Sequence, residues 1–126
     1  MHRNAATPSL QARSMSETLA FYRELLGFEI TASWEEDGTT IWAEVSRDGP
    51  TGKALLWFFA HGIESRPGPA FSGVLYLFLG NIDAWVERLG GRLSFAWGPE
   101  VQAYGLKELA FEDPNGYLVC LAEDVD

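Results

Sequence analysis

Few side chains in this chain are equipped for chemistry. Cys120 is the single thiol, and His61 is the only imidazole outside the N-terminal segment. One cysteine excludes an intramolecular disulfide and any Cys-rich zinc site. It lies within Leu118-Val119-Cys120-Leu121, an apolar strand setting that favours inert packing over a reactive thiol. His61 stands at the end of an apolar run, where a lone imidazole reads as a surface or hydrogen-bonding group rather than a ligand. Glu44 and Glu108 project from strand-like segments. Carboxylates on sheet faces are mostly solvated, and general-base work would need burial to raise their pKa. No Ser-His-Asp order, phosphate-cradling glycine loop or paired-histidine motif is present.

Aromatic and acidic side chains are abundant instead. Five Trp occur in 126 residues, and 18 acidic against 9 basic residues leave a net charge of -9. That balance argues against nucleic acid and against anionic membrane surfaces, both of which need a basic face. It permits a cationic ligand, and Trp serves equally as core and as a stacking wall. The longest apolar run, residues 73 to 80, is too short to span a bilayer, and the N-terminus lacks the apolar stretch of a signal peptide. The expected compartment is the reducing cytoplasm.

Positioning these groups requires a regular series of elements. Residues 8 to 12 read as a strand. Leu19, Tyr22, Leu25 and Leu26 recur at helical spacing over residues 15 to 26, capped by Ser14 or Ser16 and stopped by Gly27. Strands follow at 28 to 34, 39 to 46 and 54 to 60, with turns at Glu36-Asp37-Gly38 and residues 47 to 52. In the second of these strands Ile41, Ala43 and Val45 share one face, and Trp42 and Glu44 the other. Residues 61 to 72 form a loop. Residues 73 to 79 read as a strand, and Asn81 caps a helix with Ile82, Trp85, Val86 and Leu89 on its apolar stripe. Strands at 92 to 97, 106 to 112 and 117 to 122 complete the chain, with loops at 98 to 104 and 113 to 116 and a solvated acidic tail at 123 to 126.

The two halves repeat. Residues 20 to 25 (AFYREL) lie over residues 84 to 89 (AWVERL) at an offset of 64, and in both halves a strand, a helix, a glycine stop and three strands succeed one another. The expectation is an α+β fold of tandem β-α-β-β-β modules, residues 7–60 and 73–122, within a single domain.

The opening segment, PSLQAR followed by LAFYRELLGF, and the closing one, Tyr104-Gly105 with Glu108-Leu109-Ala110-Phe111, Asp113-Pro114-Asn115-Gly116 and Tyr117, resemble the vicinal oxygen chelate superfamily. That group holds glyoxalase I, extradiol dioxygenases and fosfomycin- and bleomycin-resistance proteins. The resemblance implies a half-barrel cleft (the glyoxalase/bleomycin-resistance fold) and a homodimer. It also implies where a divalent metal would be held in the enzymes: at Thr7, near Leu56, at Val74 and at Cys120 here. None of these is a good oxygen or imidazole ligand. The cleft is therefore expected to be metal-free, without cofactor or catalytic residues, as in the bleomycin-resistance branch.

Such a protein sequesters a planar, cationic small molecule. The family's stacking aromatic matches Tyr104, a smaller surface than the usual Trp. Trp34, Trp42, Trp57, Phe59 and Trp97 are further candidates for the wall, Glu35, Glu36 and Asp37 for rim charge, and Trp85 for the core. The alternatives are a superfamily lyase, isomerase or dioxygenase with a non-standard metal site, and a metabolite sensor.

Overall fold

The computed structural model describes residues 5–60 and 68–125. His61 and most of the expected 61–72 loop lie outside the described residues. Two four-stranded sheets form, each with one helix. The order is β1 (Ser9–Gln11), α1 (Met15–Glu24), β2 (Glu29–Glu36), β3 (Thr39–Gly49), β4 (Gly52–Phe59), β5 (Val74–Leu77), α2 (Ile82–Leu89), β6 (Trp97–Val101), β7 (Leu106–Glu112) and β8 (Leu118–Asp124). Strand order is β1-β4-β3-β2 in the first sheet and β5-β8-β7-β6 in the second. In each, the outer pair β1/β4 or β5/β8 is parallel and the others are antiparallel. The repeat seen in the sequence is thus a repeat of topology. Among the described residues, no helix is long and apolar enough to cross a membrane.

Local sequence explains the helices. Ser14 Oγ accepts from Glu17 N at 3.2 Å, and Asn81 Oδ1 accepts from Ala84 N at 3.2 Å, each satisfying a donor that the first helical turn leaves free. Gly27 takes φ +73° after α1. Arg47 fills the space where a side chain would stand, donating Nη1–H to Leu26 O at 2.8 Å. Gly27→Ala is therefore expected to cost about 1–3 kcal/mol, from the left-handed backbone and displacement of Arg47. A urea titration checks this, and a loss under about 0.5 kcal/mol would show that the guanidinium moves aside freely.

Alternation along the strands divides each sheet into two faces. Ala43, Val45, Leu56 and Phe58 in the first, and Leu109, Phe111, Val119 and Leu121 in the second, join Tyr22, Phe28, Ile82, Trp85 and Leu89 in one buried apolar cluster. The modules are also tied by polar contacts. Tyr22 OH donates to Asp113 Oδ2 at 2.8 Å, Arg13 N to Asn115 Oδ1 at 2.7 Å, and Tyr117 OH to Gln11 O at 2.7 Å. The helix motif near one end of the chain and the turn motif near the other are thus bonded to each other.

Some element bounds differ from expectation. The turn at 47 to 52 contracts because Arg47↔Ala54, Asp48↔Lys53 and Gly49↔Gly52 extend the β3/β4 ladder, with Lys53 Nζ 2.9 Å from Asp48 Oδ1. The strand expected at 92 to 97 forms instead at Trp97–Val101, within the expected loop. Arg92 N and Leu93 N turn back to Leu89 O, so the chain leaves α2 in a tight turn. Gly98 and Pro99 sit at an irregularity of an edge strand, where a missing N–H is tolerated. The acidic tail is not merely solvated, since β8 runs to Asp124 and Glu123 Oε1 accepts from Ile82 N at the start of α2.

Candidate functional site

The sheet faces opposite the core carry two aromatic clusters, each built around a glutamate. In the first sheet, register places Trp34 beside Trp42 and Trp42 beside Phe59, so three aromatic residues cross three strands on one face. The next row places Glu44 beside Trp57. Trp42 and Trp57 meet edge to face with centroids 5.3 Å apart. Trp34 remains 62% exposed. Glu44 is 1% exposed, and its Oε2 has no hydrogen-bond partner.

In the second sheet the 64-residue offset leads from Glu44 to Glu108, also 1% exposed. Three aromatic donors converge on its Oε1: Tyr104 OH at 2.6 Å, Trp97 Nε1 at 3.2 Å and Tyr76 OH at 3.4 Å. Its Oε2 is buried and unpartnered. Trp97 starts β6, Tyr76 stands on β5 opposite Cys120, and Tyr104 occupies the β6–β7 turn, closed by Gly105 N–H to Gln102 O at 3.0 Å. The hydrogen bond to Glu108 holds the Tyr104 proton far into the alkaline range. Tyr104 and Tyr76 are nonetheless 63% and 40% exposed, so the cluster opens to solvent.

The sequence-expected wall residues thus fall into two groups. Trp34, Trp42, Trp57 and Phe59 belong to the first sheet, Trp97 and Tyr104 to the second. Among the described residues, no hydrogen bond or ring contact joins Trp34, Trp42 or Glu44 to Trp97, Tyr104 or Glu108. Trp85 lies in the core, its ring flanked by the Arg47 and Arg88 guanidiniums at 5.0 and 5.4 Å. Glu35, Glu36 and Asp37 are exposed at the β2–β3 turn. Two expectations are corrected. Glu44 and Glu108 are buried rather than solvated, because neighbouring strands and aromatic rings cover them. Leu56 faces the core, so the opposite face of β4 carries Leu55 and Trp57 instead. Tyr76 escaped sequence reading because it lies inside the apolar run of β5; the repeat of Glu at the 64-residue offset was the available signal for the carboxylate pair.

A divalent metal does not fit these residues. Thr7 and Val74 are half-buried and offer no imidazole or carboxylate, Leu56 points into the core, and Cys120 is a single buried thiol. Among the described residues, no group of three His, Cys, Asp or Glu side chains could hold a metal ion. Burial and the nearby Glu108 push the Cys120 thiol up to about 12. The folded state therefore keeps a proton that an unfolded thiol loses near pH 8.5. This contribution to stability is complete below that pH and lost as pH rises toward 12. Native protein is expected to resist iodoacetamide at pH 8.5 and to react only when unfolded, as intact mass would show; rapid native alkylation would contradict the burial.

Two β-α-β-β-β modules thus each carry an aromatic face built around a buried glutamate. The match to the Glyoxalase/Bleomycin resistance protein/Dioxygenase superfamily spans residues 5–121, and the chain belongs to that superfamily. Its fold is similar to a bleomycin resistance determinant encoded on the transposon Tn5, with 29% identity, TM-score 0.67 and coverage of 97% of this chain and 98% of that one. It is also similar to TnmS3, an antibiotic-binding protein from Streptomyces sp. CB03234, with 21% identity, TM-score 0.73 and coverage of 98% and 97%. TioX from Micromonospora sp. ML1 shares the fold at 12% identity, TM-score 0.75 and coverage of 98% and 100%. No curated protein matches the sequence.

Proposed function

We propose that this protein captures a planar, cationic small molecule of the bleomycin type and holds it without chemical change. The observation that carries this reading is the pair of buried carboxylates, Glu44 and Glu108, each with a bare oxygen on an aromatic face. A buried, incompletely bonded carboxylate is costly, and a ligand cation beside aromatic walls offsets that cost. The resistance determinant that is 29% identical over nearly the whole chain supports the same ligand class. Among the described residues no donor set for a divalent metal is brought together, which supports binding over metal-dependent isomerase or dioxygenase chemistry.

The cleft is completed by a second copy of the chain. Trp34 and Tyr104 are each more than three-fifths exposed, so both aromatic faces are open to a second chain. A homodimer bringing the first sheet of one copy toward the second sheet of the other joins the two aromatic groups. The setting is the cytoplasm, where protection by binding needs abundance and tight affinity rather than turnover.

Titrating metal-free bleomycin while following Trp fluorescence tests the reading. Saturable quenching is expected with Kd of about 1 μM or below. Tyr104→Ala is expected to weaken binding about tenfold through loss of a stacking surface. Unchanged affinity in this variant would move the ligand away from the second sheet.

A further inference from the structure

The geometry points to Glu108 as the anchor for an N–H-bearing cation, a primary ammonium or amidinium, with Tyr76, Tyr104 and Trp97 as its walls. This rests on the ligand-binding reading above and specifies the chemical group the ligand must carry. The two oxygens of Glu108 are unequal. Oε1 receives three donors, at 2.6, 3.2 and 3.4 Å, while Oε2 receives none and is shielded from water. A carboxylate oxygen offers two lone pairs, so Oε1 is fully subscribed and the acceptor capacity remaining in the group lies at Oε2.

The Cys120 thiol lies against Glu108 and is the chain's own donor there, but it is weak and uncharged. Among the described residues, no Lys or Arg pairs with Glu108, and the neighbouring Lys107 is engaged 2.7 Å from Asp83 Oδ1. A charged partner for the carboxylate must therefore come from outside; it must carry a hydrogen, and it reaches the covered Oε2 only as the neighbouring side chains shift. A quaternary ammonium satisfies the charge and the aromatic faces but leaves the oxygen unbonded, whereas a primary ammonium satisfies all three. The exposed Tyr104 ring lies beside the carboxylate because its hydroxyl is bonded to it. A ligand with an aromatic ring a short linker away from its amine can stack on that ring while the amine reaches the carboxylate.

The test compares two probes on the full-length protein, 2-phenylethylamine and its N,N,N-trimethyl analogue, by calorimetry and by the Trp97 indole N–H resonance. The primary amine is expected to bind at least about tenfold more tightly, the increment of one charge-assisted hydrogen bond. In Glu108→Gln, with folding checked by circular dichroism, the preference is expected to shrink to about twofold or less. Equal affinity for the two probes, tighter binding of the trimethyl probe, or no saturable binding of the amine would overturn the inference. The wild-type comparison stands without the variant, so a variant that fails to fold does not protect the proposal. Bleomycin binding by the same preparation separates the two readings. If it persists while the probes bind equally, only the Glu108 anchor is lost; if it too is absent, the ligand-binding reading falls.

Discussion

Asp113→Ala is expected to lower the unfolding free energy by about 3 kcal/mol or more, the scale of a broken buried polar network. Asp113 is 5% exposed, and its carboxylate gathers donors from both modules. Oδ1 accepts from Asn115 N at 2.8 Å and Tyr117 N at 3.0 Å, while Oδ2 accepts from Tyr22 OH at 2.8 Å. Alanine leaves these donors, and the Asn115 side-chain amide 3.4 Å from Oδ2, buried without that acceptor. Tyr22 is fully buried, and burial together with Asp113 raises its pKa well above the ordinary value, so its hydroxyl stays a donor with nowhere to donate. Asp113→Asn keeps one acceptor oxygen and is expected to lose roughly half as much. Urea denaturation of the two variants measures both, and a loss below about 1 kcal/mol for alanine would show that the turn repacks without the carboxylate.

Glu44→Gln is expected to move stability and affinity in opposite directions. The glutamine keeps the shape of the side chain and removes a charge that is 1% exposed with an unpartnered Oε2. Relieving a buried unpaired charge is expected to stabilise the ligand-free protein by about 1 kcal/mol. The same change removes the attraction for a ligand cation beside Trp42 and Trp57, and bleomycin affinity is expected to fall about tenfold, most clearly at low salt. Thermal melts and calorimetry on one preparation read both quantities. Lower stability with unchanged affinity would make Glu44 a structural residue.

Much of the architecture was legible because it is written in local chemistry. Ser14, Asn81 and Gly27 mark helix ends through hydrogen bonds and backbone conformation that depend on neighbouring residues alone. The alternation separated Ala43 and Val45, which join the core, from the Trp42–Glu44 face in advance, while Ile41 lies outside the core cluster. The displaced β6 was not legible, because β-branched and aromatic content does not reveal that Leu93 N returns to Leu89 O or that an edge strand accommodates Pro99. The site was half legible. Sequence period assigns a residue to a face but not to a depth, so Glu44 and Glu108 appeared solvated until neighbouring strands covered them. Leu56 shows the same limit in reverse, since a one-residue change of register exchanges core for surface. Tyr76 was hidden among apolar neighbours, although its hydroxyl is bonded to the very carboxylate that organises the second cluster.

If a cationic planar ligand is held at the bare carboxylate oxygens of the two aromatic faces, the complex must show it there. A crystal structure of the protein with metal-free bleomycin tests it most directly. The expected result is a ring system stacked against Tyr104 or the Trp34–Trp42 row, with a ligand nitrogen about 2.7–3.2 Å from Oε2 of Glu44 or Glu108. A ligand bound elsewhere, or one lying on these faces with both oxygens still unpartnered, would contradict it.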